Sequence, residues 1–398
     1  MLAYRPRGAT EATRLRSSSL GGFAAAGVAA KAQALPLLIA LLVAAPAFAQ
    51  APPPPPHDMQ AMPDQQEYPR LKISGFGDLN FATTKHPEGP RGFVEGQLAL
   101  HMASQLSPRV TFFGEISFTP RGDAGTGSPA TSGFNVEVER MVVRFDRNDR
   151  LKVSFGRYHT PVNYWNTAFH HGQWLQTTIA RPELIQFGGR FLPVHFVGAL
   201  VEGAVPARGW NLNYKAGVGN GRGPVLSRAG DAGDVNGKRS WLVNAYSKPD
   251  ALFGLEFGGA LYVDTITMPG AREFGERIVS AYAAWQKEEP ELIAEFAAVR
   301  HQENGSGTDS WSRAFYVQAA WRLPPLERAF KPYYRFEHVG IDEADEVFAP
   351  LPELDMSIVG LRYDVSLHAA AKAEYRTWTR GDGSVRNHGG FFQVCFTF

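Results

Sequence analysis

The stretch Leu71-Lys72-Ile73-Ser74-Gly75-Phe76-Gly77-Asp78-Leu79-Asn80-Phe81 decides the fold. Leu71, Ile73, Gly75, Gly77, Leu79 and Phe81 alternate with Lys72, Ser74, Phe76, Asp78 and Asn80, a period of two. Successive side chains of a strand point to opposite faces, so the segment has one apolar and one polar face. The pattern repeats at once: Val94, Leu98, Leu100 and Met102 against Glu95, Gln97 and His101, then Val110, Phe112, Ile116 and Phe118 against Thr111, Glu115 and Ser117.

Outward from these three segments, near 71–82, 93–104 and 108–119, the alternation continues near 133–146, 150–158, 193–203, 208–219, 239–248, 252–264, 275–287, 290–301, 312–323, 330–339, 354–365, 367–379 and 388–398. That makes sixteen strands in the 328 residues from 71 to 398, or about 20 residues per strand and connection, as ~10-residue membrane strands with turns require. The 133–146 segment changes phase at Glu139-Arg140, which predicts a bulge. The connections alternate in length. Those at 82–92, 119–133, 159–192, 219–238, 264–275, 301–311, 340–354 and 379–388 are long and rich in Gly, Asp, Pro and Ser, whereas those between them are tight, as in Asp146 to Arg150 and Lys287 to Pro290. Long loops on one rim and short turns on the other mark an all-β fold, a transmembrane antiparallel β-barrel of about 16 strands, with both termini on the short-turn side. Phe392, Val394, Phe396 and Phe398 alternate with Gln393, Cys395 and Thr397. A last strand ending in an aromatic residue resembles the sorting signal of outer-membrane barrels, which implies recognition of Phe398 by the barrel assembly machinery.

Composition agrees. Of 398 residues 44% are hydrophobic and 20% charged, with 27 Phe, 8 Trp and 13 Tyr, yet mean hydropathy is only −0.22. So many rings exclude a wholly disordered chain, and so hydrophilic an average excludes a helical membrane protein. A formal charge of +1 argues against a nucleic-acid partner. One Cys excludes an intrachain disulfide or a multi-Cys zinc site. Ahead of the barrel, Leu35 to Phe48 (LPLLIALLVAAPAF) follows Arg5, Arg7, Arg14, Arg16 and Lys31 and precedes Ala49. This is the order of a secretory signal, so residues 1–49 are read as a signal peptide, 50–70 as a Pro-rich periplasmic segment and 71–398 as the barrel. Removal of the signal leaves 35 basic and 38 acidic residues. The expected setting is the outer membrane of a Gram-negative bacterium, with lipid and lipopolysaccharide around the wall.

In lipid a closed barrel satisfies every backbone polar group, and at sixteen strands its lumen is too wide for wall side chains to fill. The connection at 159–192, HTPVNYWNTAFHHGQWLQTTIARPELIQFGGRFL, is the longest and the least polar. Trp165, Phe169, Trp174, Leu175, Ile179, Leu184, Ile185 and Phe187 call for burial, so a long third outer loop folded into the lumen is expected. In length and place it resembles the third loop of the general porins, and with Gly156-Arg157-Tyr158 leading into it the region is similar to the phosphate-selective porins. The resemblance implies a water-filled diffusion channel and a homotrimer. The dense ladder of basic residues that would carry phosphate preference is missing.

The loop offers His159, His170, His171, Arg181, Glu183 and Arg190 as pore-constriction candidates, which either line the eyelet or bind the loop to the wall. Strand phase places Lys72, Lys152, Lys215, Arg322, Lys331, Arg335, Arg362, Lys372 and Arg376 inward, with Asp78, Glu95, Glu115, Glu256, Asp264, Glu295, Glu337, Asp364 and Glu374. The two signs balance, but Arg322, Lys331, Arg335, Arg362, Lys372 and Arg376 face only Glu337, Asp364 and Glu374 on the last strands. That is either an anion-attracting stripe or an ion-pair network bracing the wall. Adjacent His170 and His171 rarely face one site, and no carboxylate stands at ligand spacing, so neither metal nor cofactor is expected. Asp342, Glu343, Asp345 and Glu346 read as a solvated outer turn. The expected function is passive passage of small hydrophilic solutes or ions, leaning toward anions, without catalysis. The alternatives are a structural or adhesive barrel, and a barrel hydrolase. The hydrolase would need an outward serine near His338, and none is evident.

Overall fold

A computed structural model describes residues 68–84, 91–120, 134–169, 171–186, 190–226, 230–305, 307, 309–381, 383 and 385–398. Residues 1–49, read as a signal peptide, and most of the expected Pro-rich segment, together with His170 and Phe187, lie outside the described residues.

The sixteen alternating segments are sixteen strands: β1 Arg70–Thr84, β2 Gly92–Ser107, β3 Val110–Pro120, β4 Phe134–Asn148, β5 Leu151–His159, β6 His195–Val205, β7 Leu212–Asn220, β8 Arg239–Ser247, β9 Leu255–Met268, β10 Arg272–Gln286, β11 Glu291–Glu303, β12 Asp309–Ala320, β13 Phe330–Gly340, β14 Leu354–Ser366, β15 Ala369–Arg380 and β16 Arg386–Thr397. Each pairs antiparallel with its sequence neighbours, and β1 pairs with β16 from Phe76↔Thr397 to Thr84↔Gly389, which closes the barrel. Gly75 and Phe398 exchange two further backbone hydrogen bonds, at 2.8 and 3.0 Å, so the C-terminal residue is tied into the seam. Closure leaves the sheet without an edge, as a spanning sheet must be.

The faces follow the alternation. Leu71, Ile73, Leu79, Phe93, Val136, Phe155 and Trp241 are exposed on the outer wall, the surface a barrel presents to lipid. Charged groups point inward, and many are deeply buried there, Arg335 and Glu115 completely.

The bulge at Glu139-Arg140 is present. β3 pairs Glu115 with Arg140 but Ile116 with Val138, leaving Glu139 as the extra residue, so Glu139 and Arg140 both face inward. A second bulge, where β1 skips from Gly77↔Leu98 to Leu79↔Glu95, corrects one expectation: it puts Glu95 on the outer side with Leu79, while Val94 turns inward opposite Asn80. One added residue inverts the phase of all that precede it.

The length alternation of the connections is looser than the sequence suggested. β9 runs on into β10 through Pro269, Gly270 and Ala271, with the last two at φ of +81° and +61°, so this outer connection is a tight turn. On the near rim, the link from β12 to β13 extends from Trp321 to Ala329 and holds Arg322, which therefore belongs to a turn and not a strand. Among the described residues, three far-rim connections place side chains in the lumen, not one. Trp165, Ile185 and Leu192 between β5 and β6, Arg222 between β7 and β8, and Phe348 between β13 and β14 are all buried, and Phe191 stacks on Phe348 at 5.2 Å between ring centres.

Candidate functional site

The connection from β5 to β6 is held by the wall at points spread along its length. Its short helix α1, Tyr164–Ala168, follows Asn163 in extended conformation. The first amides of a helix have no intrahelical acceptor. Those of Tyr164 and Trp165 donate to Glu295 on β11 at 2.8 and 2.9 Å, and the Tyr316 hydroxyl donates to the same carboxylate at 2.5 Å. Further on, Ile179 and Ala180 donate their amides to Glu374 at 2.5 and 3.2 Å, and Glu183 donates its own to Glu337 at 2.6 Å.

The basic residues of the last strands meet the loop from the same sector of the wall. Arg362 donates to the carbonyls of Trp174 and Gln176 at 2.7 and 2.9 Å, and Lys372 to those of Gln173 and Thr178 at 2.5 and 3.1 Å. Arg335 reaches the Thr178 hydroxyl at 2.9 Å and Glu337 at 2.8 Å, and lies over the Trp165 ring at 5.5 Å. Lys331 binds Glu288 and Glu291 at 2.9 and 2.6 Å, Arg376 binds Glu374 at 2.7 Å, and Arg322 bridges Glu288 and Asp364 on the near rim. These cations thus form a clamp and a wall network. Burying them is tolerable because each meets a carboxylate or a carbonyl.

Beside the clamped loop a cavity of about 710 Å³ opens against β1, β15 and β16. Arg181, Glu183, Arg376, Arg380 and Asp78 bring charge to its wall, and Trp378 is among its rings. A second cavity, about 590 Å³, lies against β1 to β4 and is lined by Arg70, Gln105, Phe113 and Arg144. β1 gives Asp78 to the first and Arg70 to the second, so the two open toward opposite rims of one wall sector. Phe76 and His101, with ring centres 5.0 Å apart, stand at the level between.

Of the loop candidates, Arg181 and Glu183 line the first cavity, while Arg190 is exposed and its carbonyl accepts from Arg222 at 2.9 Å. His159 and His171 lie instead in a buried cluster at the root of the loop. There His159 and His195 face each other across β5 and β6, Glu115 comes from β3, and Glu139 from the bulge of β4. His159 Nε2 lies 3.6 Å from Glu115, and Glu139 stands 3.3 Å from His171 Nε2 and 2.8 Å from His195 Nε2. Sequence reasoning found both histidines but not Glu139 or His195, and the phase change at Glu139-Arg140 was the signal for the former. It also missed Glu276, which binds Arg222 and takes His301 at 3.0 Å, and it misplaced Asp345. Asp345 is no solvated turn residue. It is buried, 2.9 Å from both His301 Nδ1 and Ser312 Oγ. On the outer wall His338 pairs with Asp355 at 2.8 Å, and the neighbouring outward hydroxyl, Ser357, is engaged with Tyr334.

This closed barrel of sixteen antiparallel strands has solved counterparts in fold. The chain has the porin fold. An anion-selective porin from Comamonas acidovorans superposes with a TM-score of 0.59 at 14% identity, covering 83% of this chain and 100% of that one. The outer-membrane channel DcaP of Acinetobacter baumannii gives 0.57 at 11% identity, with 83% and 97% covered. The trimer form of OmpT, an outer-membrane protein of Vibrio cholerae, gives 0.54 at 13% identity, with 83% and 100% covered. No protein-family model matches the chain, and no curated protein matches it in sequence.

Proposed function

We propose that this porin-fold chain is an outer-membrane channel for passive diffusion of small hydrophilic solutes or ions, with a weak lean toward anions. The observation that carries the reading is the cavity of about 710 Å³ left beside a loop that is bolted to the wall at several points. A loop fixed this firmly narrows a passage to a set width, which is what a sieve requires. The weak anion lean rests on three guanidiniums, Arg181, Arg376 and Arg380, facing two carboxylates, Asp78 and Glu183, along that cavity. Arg376 and Arg380 are themselves paired with Glu374 and Glu183, and the other cations of the stripe are held by the loop and the wall, so the preference is small. The same reading includes export by the signal over 1–49, assembly through Phe398, a homotrimer like the trimer form among its fold relatives, and no catalytic role.

Planar-bilayer recording of the purified, folded chain tests this. Discrete conductance steps, with a reversal potential shifted slightly to the anion side under a KCl gradient, are expected. A folded barrel that inserts without conducting would refute the channel reading.

A further inference from the structure

We propose that the buried cluster at the root of the lumen loop binds one divalent transition-metal cation of the zinc type, through His159, His171, Glu115 and Glu139. Ligand atoms of Glu115, His159 and His171 all lie within 4.8 Å of one another, and all three residues are buried. Two ligands on one tetrahedral zinc, each bonded at ~2.0–2.1 Å, stand about 3.3 Å apart. The His159–Glu115 and His171–Glu139 separations are 3.6 and 3.3 Å. Imidazole nitrogen with carboxylate oxygen suits zinc and its neighbours among the first-row metals rather than calcium or magnesium.

The groups around His171, Glu139 and Glu115 orient them as the outer partners of a metal site do. His171 Nδ1 lies 2.5 Å from the Gln97 side-chain oxygen, so the proton sits on Nδ1 and the Nε2 lone pair points into the cluster. His195 differs. Its Nδ1 faces the Arg157 guanidinium at 3.0 Å, and a guanidinium only donates, so His195 carries its proton on Nε2 and donates it to Glu139. His195 is therefore a positioning residue that aims the Glu139 carboxylate. His101 at 3.0 Å and Arg140 hold Glu115 in the same way.

Charge permits the ion. Glu115, Glu137, Glu139 and Asp231 stand against Arg140, Arg157 and Arg181, and two of the four carboxylates would be direct ligands. Arg181 and Arg157 have acceptors besides the proposed ligands, Arg181 in Asn166 and the Ile185 carbonyl, and Arg157 in Glu137 and Asp231. The consequence is mechanical. Arg362, Lys372 and Glu374 hold the loop against β14 and β15 on one flank. A cation joining His159 and His171 to β3 and β4 would hold it on the other, two residues before the cavity-lining Gln173.

The test uses the full folded chain in detergent, stripped with chelator and titrated calorimetrically with Zn²⁺, with Co²⁺ as a spectroscopic stand-in. One cation per chain is expected, with Co²⁺ showing the visible bands of a low-symmetry nitrogen–oxygen site. Outer partners alone cost ~10–100-fold in metal affinity, so loss of a direct ligand in His159→Gln or His171→Gln should weaken binding by ~100-fold or more. His338→Ala, on the outer wall, should bind as the parent does. A heat-dependent mobility shift reports that each variant has folded. Failure of the folded parent to bind either ion, binding unchanged by both glutamine variants, or loss of binding in His338→Ala overturns the proposal. Should the glutamine variants not fold, the Co²⁺ spectrum of the parent decides: imidazole-type bands uphold the site, and the bands of hydrated cobalt alone overturn it. Conductance is measured separately, so the channel reading stands or falls on its own.

Discussion

Replacing Glu295 tests whether the wall holds the loop through single buried carboxylates. Glu295→Leu removes the acceptor for the amides of Tyr164 and Trp165, at 2.8 and 2.9 Å, and for the Tyr316 hydroxyl. Hydrogen bonds to a charged group contribute about 1.5–3 kcal/mol each, so the two amide bonds together hold the start of α1 in place by about 3–6 kcal/mol. At about 1.4 kcal/mol per decade, the local opening equilibrium of residues 160–169 should rise by roughly two to four decades. Glu295→Gln keeps one neutral oxygen for one of the two amides and puts an NH2 donor against the other; since charged acceptors are roughly twice as strong as neutral ones, it should cost about three quarters as much. The barrel should stay closed, because its strand ladder does not involve this side chain. Hydrogen exchange read by mass spectrometry on peptides spanning 160–169 measures the effect directly, with a β14–β15 peptide as internal reference. Protection at 160–169 that is unchanged in Glu295→Leu while the barrel is intact would refute the view that a wall carboxylate caps α1.

Three further outcomes follow from the geometry. Gly360 lies under the Tyr333 ring, and a Cβ there would stand 2.2 to 2.4 Å from the ring carbons and hydroxyl oxygen; Gly360→Ala should displace Tyr333 from Glu374 and cost about 1–3 kcal/mol in a denaturant titration, whereas Gly275→Ala, whose Cβ would meet only the Gln302 carbonyl at 3.8 Å, should not crowd any neighbour. Asp342, outside the spanning strands, accepts the amides of Trp311 and Ala344, which hold its carboxyl below the usual carboxylate range; a depressed pKa adds stability above the unfolded value near ~3.9 and loses it as pH falls through the folded value, so the outer loop should loosen toward proteolysis in acid and Asp342→Asn should abolish that pH dependence. Arg376→Glu or Arg380→Glu should move the reversal potential toward cation preference with discrete conductance retained, and an unmoved potential would remove the cavity from the ion path.

Much of the fold was legible because side-chain alternation is a property of the strand itself. Leu71 to Phe81 reports its two faces without reference to any partner, and sixteen such reports fix the strand count. The Glu139-Arg140 bulge could be read for the same reason, as a break in phase within one segment. The Glu95 bulge could not, because its evidence is the pairing of β2 with β1 and Gly96 packed against Asp78. The burial of the β5–β6 loop was legible from Trp165, Leu184 and Ile185, which have no business in water. That Arg222, Asp345 and Phe348 would follow it inward was not, because the charges beside them suggested solvent.

The sequence by itself determined a closed sixteen-strand wall, its polar interior and an inward third loop, all of which are periodic or compositional facts set by local geometry. Only the tertiary structure decided what the interior charges do. Arg362 and Lys372 read equally as an anion stripe or a bracing network until the carbonyls of Gln173 to Thr178, nearly two hundred residues away in the chain, are found bound to them. His159, His171, Glu115 and Glu139 read as unrelated until barrel closure and the β4 bulge bring them together. The free energy of a buried charge depends on which partner faces it, and in a barrel that partner is chosen by register and loop docking rather than by neighbours in sequence.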